Sequence, residues 1–356
     1  MTNLYHHTLS KNKLSGTIPT SIGNMTNLST VDLSDNELSG SIPNTIGKMT
    51  NLYRLSLLKN KLSGTIPTSI GNMTNLSTVY LNDNELSGSI PNTIGKMTNL
   101  ANLSLFNNKL SGSIPTTIGN MTKLTILILS MNKLTGSLPL EIKNLSNLKI
   151  LQVSYNNFTG HIPQNICHGG SLEKLGAINN YFTGPIPKTL KNCTSLVRVR
   201  LGGSQLIGNI TEDFGIYPNL NYIELSDNYL YGELSSKWGQ CHNLTSLKLS
   251  NNKISGRIPP ELSGASQLHE VDLTSNHLIG KIPKEFGRLK SLLKLLLSNN
   301  QLSGNIPSEI GMLSHVIFLN LASNNISGLI PKQLGECSEL VFNLSRSQGS
   351  QYHIGM

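Results

Sequence analysis

The sequence predicts an α/β solenoid: fourteen stacked repeats at a period of 24, with one parallel sheet on the concave face. Three observations predict it. A Leu or Val recurs at a step of 24 from Leu4 through Leu28, Leu52 and onward to Val316 and Leu340, without insertion or deletion. A Gly stands at the thirteenth place of all fourteen repeats, Gly16 through Gly328. An Asn stands at the ninth place of thirteen of them, Asn12 through Asn324. Repeats of this length mark stacked supersecondary units, none of which can enclose its own apolar face.

Each part of the repeat has its own warrant. Leu28–Asn51 serves as the example, with apolar residues at positions 1, 4, 6, 11, 15, 19 and 22. Positions 4 and 6 alternate with polar 3 and 5, the period of a short half-buried strand. One such strand per repeat builds a long parallel sheet, and the bulkier remainder of each turn puts that sheet inside. The invariant Gly implies a backbone site that resists a Cβ. Position 16 is Pro in twelve repeats, with Thr211 and Ser235 the exceptions; Pro restricts the chain to an extended or turning path and removes a donor. The Asn amides, one per turn, are expected to bond backbone groups of their own and the neighbouring repeat as a ladder. Ser204, in Gly202-Gly203-Ser204, breaks the series, and its shorter side chain predicts a local loss of about 1 kcal/mol. The expected boundaries are a solenoid over 1–344, with full repeats to 339 and a partial one from 340, followed by an irregular tail, 345–356.

Composition narrows the function. Charged residues are 13% and aromatics 5%. The 28 basic and 19 acidic side chains leave +9, but the basic ones are scattered, which disfavours nucleic acid. No apolar run approaches a membrane span, and the opening Met1–Tyr5 is no signal peptide. Phosphate-cradling glycine loops, kinase signatures, nucleophile elbows and zinc-helix motifs are absent, so neither an enzyme nor a cofactor is expected. Glu224 and Asp272 share position 5 two strands apart, about 10 Å, near the carboxylate spacing of inverting glycosidases. Nothing in the sequence adds a water-excluding cleft, and a solvated charged face is the plainer reading.

Binding is expected at the outward strand positions 3 and 5 and at positions 7 and 8 just after. Val199 should point inward, putting Arg198 and Arg200 on one side, where two guanidiniums can clamp a carboxylate. The alternative is surface charge paired with Glu224 next door. Tyr222 shares this surface. Upstream, Tyr80, Asn102, Ser104, Phe106, Ile126, Ile128, Met131, Ile150, Gln152 and Tyr155 form an outward patch with apolar members, either a peptide groove or side chains shielding one another. Leu293, Leu296, Ile317 and Phe318 form a second apolar set. Thirteen Asn-X-Ser/Thr sequons fit a secreted glycoprotein. The candidates for glycans are Asn24, Asn72, Asn120, Asn144, Asn157, Asn192, Asn209, Asn243 and Asn325. Cys193, Cys241 and Cys337 occupy position 22, where small buried hydrophobes suffice. Cys167 and Cys193 are separated by one repeat plus two places, which puts them on adjacent turns.

The pattern LxxLxLxxNxLxGxIPxxIGxLxxL, covering residues 4 to about 344, resembles the plant-type leucine-rich repeat. The resemblance implies a second short strand at LSGxIP and a right-handed superhelix. It also implies a place among ectodomains of receptor-like kinases, receptor-like proteins or polygalacturonase inhibitors. Family ectodomains begin with a cysteine-paired cap, whereas here His7 stands at an apolar position of the first repeat. The chain is therefore read as a fragment of a longer receptor, without its signal peptide, membrane helix and Ser/Thr kinase domain. The runs NICHGG (165–170), FTGPIPKTLKNCTSLVRVRL (182–201) and FGIYPNLNYIELSDN (214–228) are similar to the male-discoverer-interacting receptor-like kinase group. That similarity implies a Cys167–Cys193 bridge and Arg198 and Arg200 holding the free C-terminus of a secreted peptide. It implies a shorter leucine-rich repeat co-receptor kinase near Leu293, Leu296, Ile317 and Phe318, and a location outside the plasma membrane for signalling or defence. A secreted polygalacturonase-inhibitor-like protein is the alternative.

Overall fold

The computed structural model describes residues 6–336 and 341–343. Cys337, most of the partial repeat and the expected tail lie outside these. The chain forms two compact units, Met1–Thr189 and Leu190–Met356.

In unit 1 the main sheet contains eight three-residue parallel strands from His6–Thr8 to Lys174–Gly176, each pairing with the next at an offset of 24. Unit 2 has the same arrangement from Arg198–Arg200 to Phe318–Asn320, and a last strand, Val341–Asn343, pairs at an offset of 23. The register is that of the repeat itself: Leu127 lies beside Leu151 and Val199 beside Ile223. Short second strands, such as Lys109–Gly112 in unit 1 and Tyr229–Glu233 in unit 2, pair in parallel as smaller sheets. These are the strands expected at LSGxIP.

The helical part is a single 3₁₀ turn at positions 17–21 of most repeats, as in Thr20–Asn24 and Asn44–Lys48. Pro at position 16 precedes it in extended conformation, with φ −69° at Pro43. The two departures from Pro act as their chemistry allows. Ser235 accepts from Lys237 N at 3.3 Å. Thr211 falls inside the short α-helix Ile210–Asp213, whose N-cap is Asn209, with Thr211 N donating to Asn209 Oδ1 at 3.1 Å.

The apolar positions form the core. In the repeat beginning at Leu76, the seven side chains Leu76, Val79, Leu81, Leu86, Ile90, Ile94 and Met97 are at most 4% exposed. Each such burial is worth about 2 kcal/mol.

The Asn ladder is present, and from Asn36 onward its rungs join two repeats. Asn252 Nδ2 donates to Leu225 O of the preceding repeat (3.0 Å) and to Leu249 O and Ser250 O of its own (both 3.1 Å). Its Oδ1 accepts from Leu230 N at 3.0 Å. At Ser204 the backbone step survives, its N–H donating to Asp227 O at 3.1 Å. A second ladder lies outside the expectation. The Asn at position 24 donates to a carbonyl of the preceding repeat, as in Asn75 to Thr50 O and Asn99 to Thr74 O, both 3.0 Å.

Two backbone positions are left-handed in repeat after repeat. Position 13 is the expected one: its glycines include Gly40 at φ +71° and Gly256 at +75°. Position 8 lies outside the expectation: Asp or Asn, which tolerate this region, fill it in seven repeats, but Lys59, Met131 and Tyr155 adopt it as well, with φ between 52° and 57°. Such residues cost about 1–2 kcal/mol in that region. Stacking fixes them there, since the position-8 N–H donates to the next repeat, as Asp35 N does to Leu58 O at 3.0 Å.

In unit 2, Tyr217 fills position 22 with a buried ring. Its hydroxyl donates to Leu190 O (3.0 Å) and accepts from Gly215 N (3.1 Å). Burial pushes its pKa up to about 12.

Two outcomes follow. Asn252→Ala strands several buried backbone groups and should lower unfolding stability by about 2–3 kcal/mol in urea titration; an unchanged midpoint would remove the ladder from the account. The folded state holds the Tyr217 proton more tightly than the unfolded chain does. Its contribution is therefore complete below pH 10 and is lost between pH 10 and 12, up to about 2–3 kcal/mol. Unfolding curves from pH 9 to 12 should fall less steeply for Tyr217→Phe than for the parent.

Candidate functional site

The solvent side of the main sheet in unit 2 begins at Arg198-Val199-Arg200. Val199 is 1% exposed, so strand alternation turns both arginines outward. They do not stand bare. The Arg198 guanidinium lies 4.8 Å from the centroid of the Tyr222 ring. Arg200 Nη2 lies 3.7 Å from Glu224 Oε2. The Tyr222 hydroxyl donates to that same Oε2 at 3.2 Å. Glu224 is thus the counter-ion that the pairing alternative named. Yet it satisfies only part of the guanidinium, because Arg200 Nε is buried without a hydrogen-bond partner among the described residues.

The cluster continues across the next strands. Lys248 Nζ lies 2.9 Å from Glu270 Oε2, and Lys294 Nζ lies 3.9 Å from Glu270 Oε1. Lys248 also stands 6.0 Å from the Tyr222 centroid. Burial opposes the charge on Lys248, but the hydrogen bond and charge of Glu270 outweigh it and raise its pKa. Tyr222 is also raised, first by burial and then by the charge of Glu224. Positions 3 and 5 of these strands hold Arg198, Arg200, Lys248 and Lys294 against Glu224, Glu270 and Asp272. Four cations face three carboxylates, so one positive charge is left over. Lys248, Glu270 and Lys294 were not among the expected binding residues, although their places in the repeat expose them to the same reading. Glu224 and Asp272 flank Lys248 in register, a half-buried charged row.

In unit 1 the expected outward patch is on the solvent side of the main sheet. Asn102, Ile126 and Ile150 align in one row, and Tyr80, Ser104, Ile128 and Gln152 in another. Phe106 is half-buried, while Met131 and Tyr155 are 45% and 47% exposed. Ser104 corrects the expectation: it is buried, because its short side chain stands in the row between the larger Tyr80 and Ile128. Asn102 is tied into its row, its Nδ2 donating to Thr78 Oγ1 (3.5 Å) and its Oδ1 accepting from Thr125 Oγ1 (3.4 Å). The Arg54 guanidinium lies 5.1 Å from the Tyr80 centroid. Gln152 leans over Gly176, where a Cβ would collide with its amide. A shallow groove of about 570 Å³ follows the edge where these strands start, lined by residues including Tyr53, Ser77, Ala101, Thr125 and Lys149.

In unit 2, Leu293 and Phe318 are exposed, and Leu296 and Ile317 half-buried. Lys294 Nζ stands 5.6 Å from the Phe318 centroid. Asn24, Asn72, Asn120, Asn144, Asn157, Asn192, Asn243 and Asn325 are exposed. Asn209 is the exception: it is half-buried and its Oδ1 is used as a helix cap. Cys167 and Cys193 are both disulfide-bonded, and Cys241 is a buried free thiol. No group of three His, Cys, Asp or Glu side chains that could hold a metal occurs among the described residues. No described helix is long and apolar enough to cross a membrane.

The leucine-rich repeat family model matches ten segments of the chain: 27–49, 51–73, 75–97, 99–121, 123–145, 147–168, 243–265, 267–289, 291–313 and 315–337. Among curated proteins none matches significantly. Among solved structures, a plant peptide hormone receptor, RGFR1 in complex with RGF2, is 37% identical with a TM-score of 0.92; the match covers 97% of this chain and 55% of that one. The PEPR1–AtPEP1 structure is 33% identical with a TM-score of 0.84, over 95% of this chain and 51% of that one. The Arabidopsis receptor kinase HAESA, in complex with the peptide hormone IDA and the co-receptor SERK1, is 34% identical with a TM-score of 0.70, over 96% and 69%. The chain thus spans about half the length of the first two. With the repeat register, the second strands and these likenesses in agreement, the chain belongs to the leucine-rich repeat family and is built as the ectodomains of plant receptor kinases are.

Proposed function

We propose that this chain is the ligand-recognising part of a plant receptor-like kinase and that it binds a secreted peptide on the solvent side of its main sheet. The observation that carries the reading is the charge cluster of unit 2. Arg198 and Arg200 share one face, the surrounding rows leave one positive charge over, and Arg200 Nε lacks an acceptor among the described residues. A single carboxylate supplies both the missing charge and the missing acceptor. The free C-terminus of a peptide is such a group. Similar structures whose names describe bound peptide hormones support this choice of ligand class.

The rigid sheet limits the ordering cost of binding to the peptide. In unit 1, the rows of Tyr80, Ile128 and Gln152 with Phe106 nearby offer apolar and amide contacts for peptide side chains. The exposed Leu293 and Phe318, with Leu296 and Ile317, suit a co-receptor. Support for that partner comes from the HAESA structure, which includes SERK1. The narrower placement in the male-discoverer-interacting group rests on the sequence runs 165–170, 182–201 and 214–228. This role puts the chain outside the plasma membrane, with the exposed sequon asparagines open to glycans.

Titrating a pool of free-acid synthetic peptides against the parent chain and Arg200→Ala tests the clamp. The variant should bind about 10- to 100-fold more weakly, the loss of charge-assisted hydrogen bonds worth about 1.5–3 kcal/mol. Equal affinities would remove Arg200 from the site.

A further inference from the structure

We propose that Glu224 is an internal counter-ion that a ligand carboxylate displaces from Arg200, and that Lys248 takes Glu224 over when this happens. The inference rests on the carboxylate-clamp reading and adds a residue that sets its selectivity. Arg200 and Glu224 are held loosely: 3.7 Å separates them, against 2.9 Å for Lys248 and Glu270 on the same surface. Glu224 meets the Nη2 end of the guanidinium and leaves the buried Nε unsatisfied. A ligand carboxylate that reaches both edges makes the better pair.

A displaced Glu224 must not be left unpaired, because its side chain is only 20% exposed and stranding it would be costly. The strand register provides a partner. Lys248 lies directly beside Glu224 in the next strand. Lys248 is at present engaged with Glu270, but Glu270 has a second cation within reach, Lys294 at 3.9 Å. The exchange therefore runs along the rows. The ligand takes Arg200, Glu224 turns to Lys248, and Glu270 keeps Lys294. Each of these charges has a partner before and after, and the surplus positive charge of the cluster is neutralised. The Tyr222 hydroxyl, already on Glu224 Oε2, stays with the carboxylate as it turns, and the Tyr222 ring keeps Arg198 in place.

The consequence is a threshold. Weak anions compete with Glu224 and lose, whereas a bidentate carboxylate wins. Removing the charge of Glu224 should tighten binding of carboxylates in general. Removing Lys248 should weaken binding, but only while Glu224 is present to need it.

The test uses the full chain and a pool of short randomised peptides, made once as free acids and once as C-terminal amides. Retention is read by mass spectrometry after pull-down on the parent, Glu224→Gln, Lys248→Met, the double variant and Arg200→Ala, with melting curves confirming the fold. The parent should retain acids over amides. Glu224→Gln should raise retention of acids about five-fold and leave amides unchanged. Lys248→Met should lower acid retention in the parent and have no effect in the Glu224→Gln background, the non-additivity expected of coupled neighbours. If acids are preferred and Arg200→Ala abolishes the preference, but Glu224→Gln fails to tighten binding, the counter-ion role is overturned and the clamp stands. If the parent ignores the difference between acid and amide, and Arg200→Ala changes nothing, the clamp reading itself is lost and this inference with it.

Discussion

The Asn amide at position 9 is the interaction on which the rest depends. It donates to carbonyls of two repeats and accepts an N–H from the preceding one, so adjacent turns cannot slide or rotate past each other without breaking two bonds at each rung. Hydrophobic burial supplies most of the stabilisation but has no direction. A stack of leucine faces alone would tolerate many offsets, and the amide selects one. The left-handed side-chain-bearing residues at position 8 are the local strain of turning the chain so tightly, and the stacked hydrogen bonds hold them there, whereas the glycines at position 13 take the same region without strain.

A fixed offset has a functional result. When strands recur at the same interval, positions 3 and 5 become continuous rows, and residues far apart in sequence become neighbours in a known order. In unit 2 this order is Arg200, Glu224, Lys248 and Asp272, with Arg198, Tyr222, Ser246, Glu270 and Lys294 alongside. The surface is an alternation of charges linked by ion pairs and ring contacts, and it is almost neutral. Such a surface resists nonspecific association yet retains one unsatisfied cationic edge. On the proposed reading, selectivity comes from exchange of partners within a preformed lattice.

Much of this was legible in the residues. The period determined the strands, the core positions and the direction of Val199, and hence the common side of Arg198 and Arg200. The glycines at position 13 announced their own backbone conformation. What escaped was whatever depends on distance between side chains. Position 8 carried only a partial sign of left-handed backbone: Asp or Asn fills it in seven repeats, but Lys59, Met131 and Tyr155 interrupt the pattern with side chains that do not favour it. Ser104 occupies an outward place and is buried all the same, since exposure depends on the size of its neighbours. Asn209 has the letters of a sequon but commits its amide oxygen to a helix cap. The position-24 asparagines were visible as a recurrence, and only the carbonyl of the preceding repeat explains them. Pairing of Arg200 with Glu224 was an open alternative in the sequence, but its incompleteness at Nε depends on distances that the repeat does not encode.

The claim that ties fold to function is that the buried edge of Arg200 is reserved for a ligand carboxylate. Nitrogen-15 NMR of the arginine Nε–H groups observes that edge directly. Adding free-acid peptides should shift the Arg200 Nε–H signal strongly downfield and slow its exchange with solvent, while the matched amides leave it unmoved. An Arg200 signal indifferent to both, in a sample where peptide binding is detected by other resonances, would contradict the account.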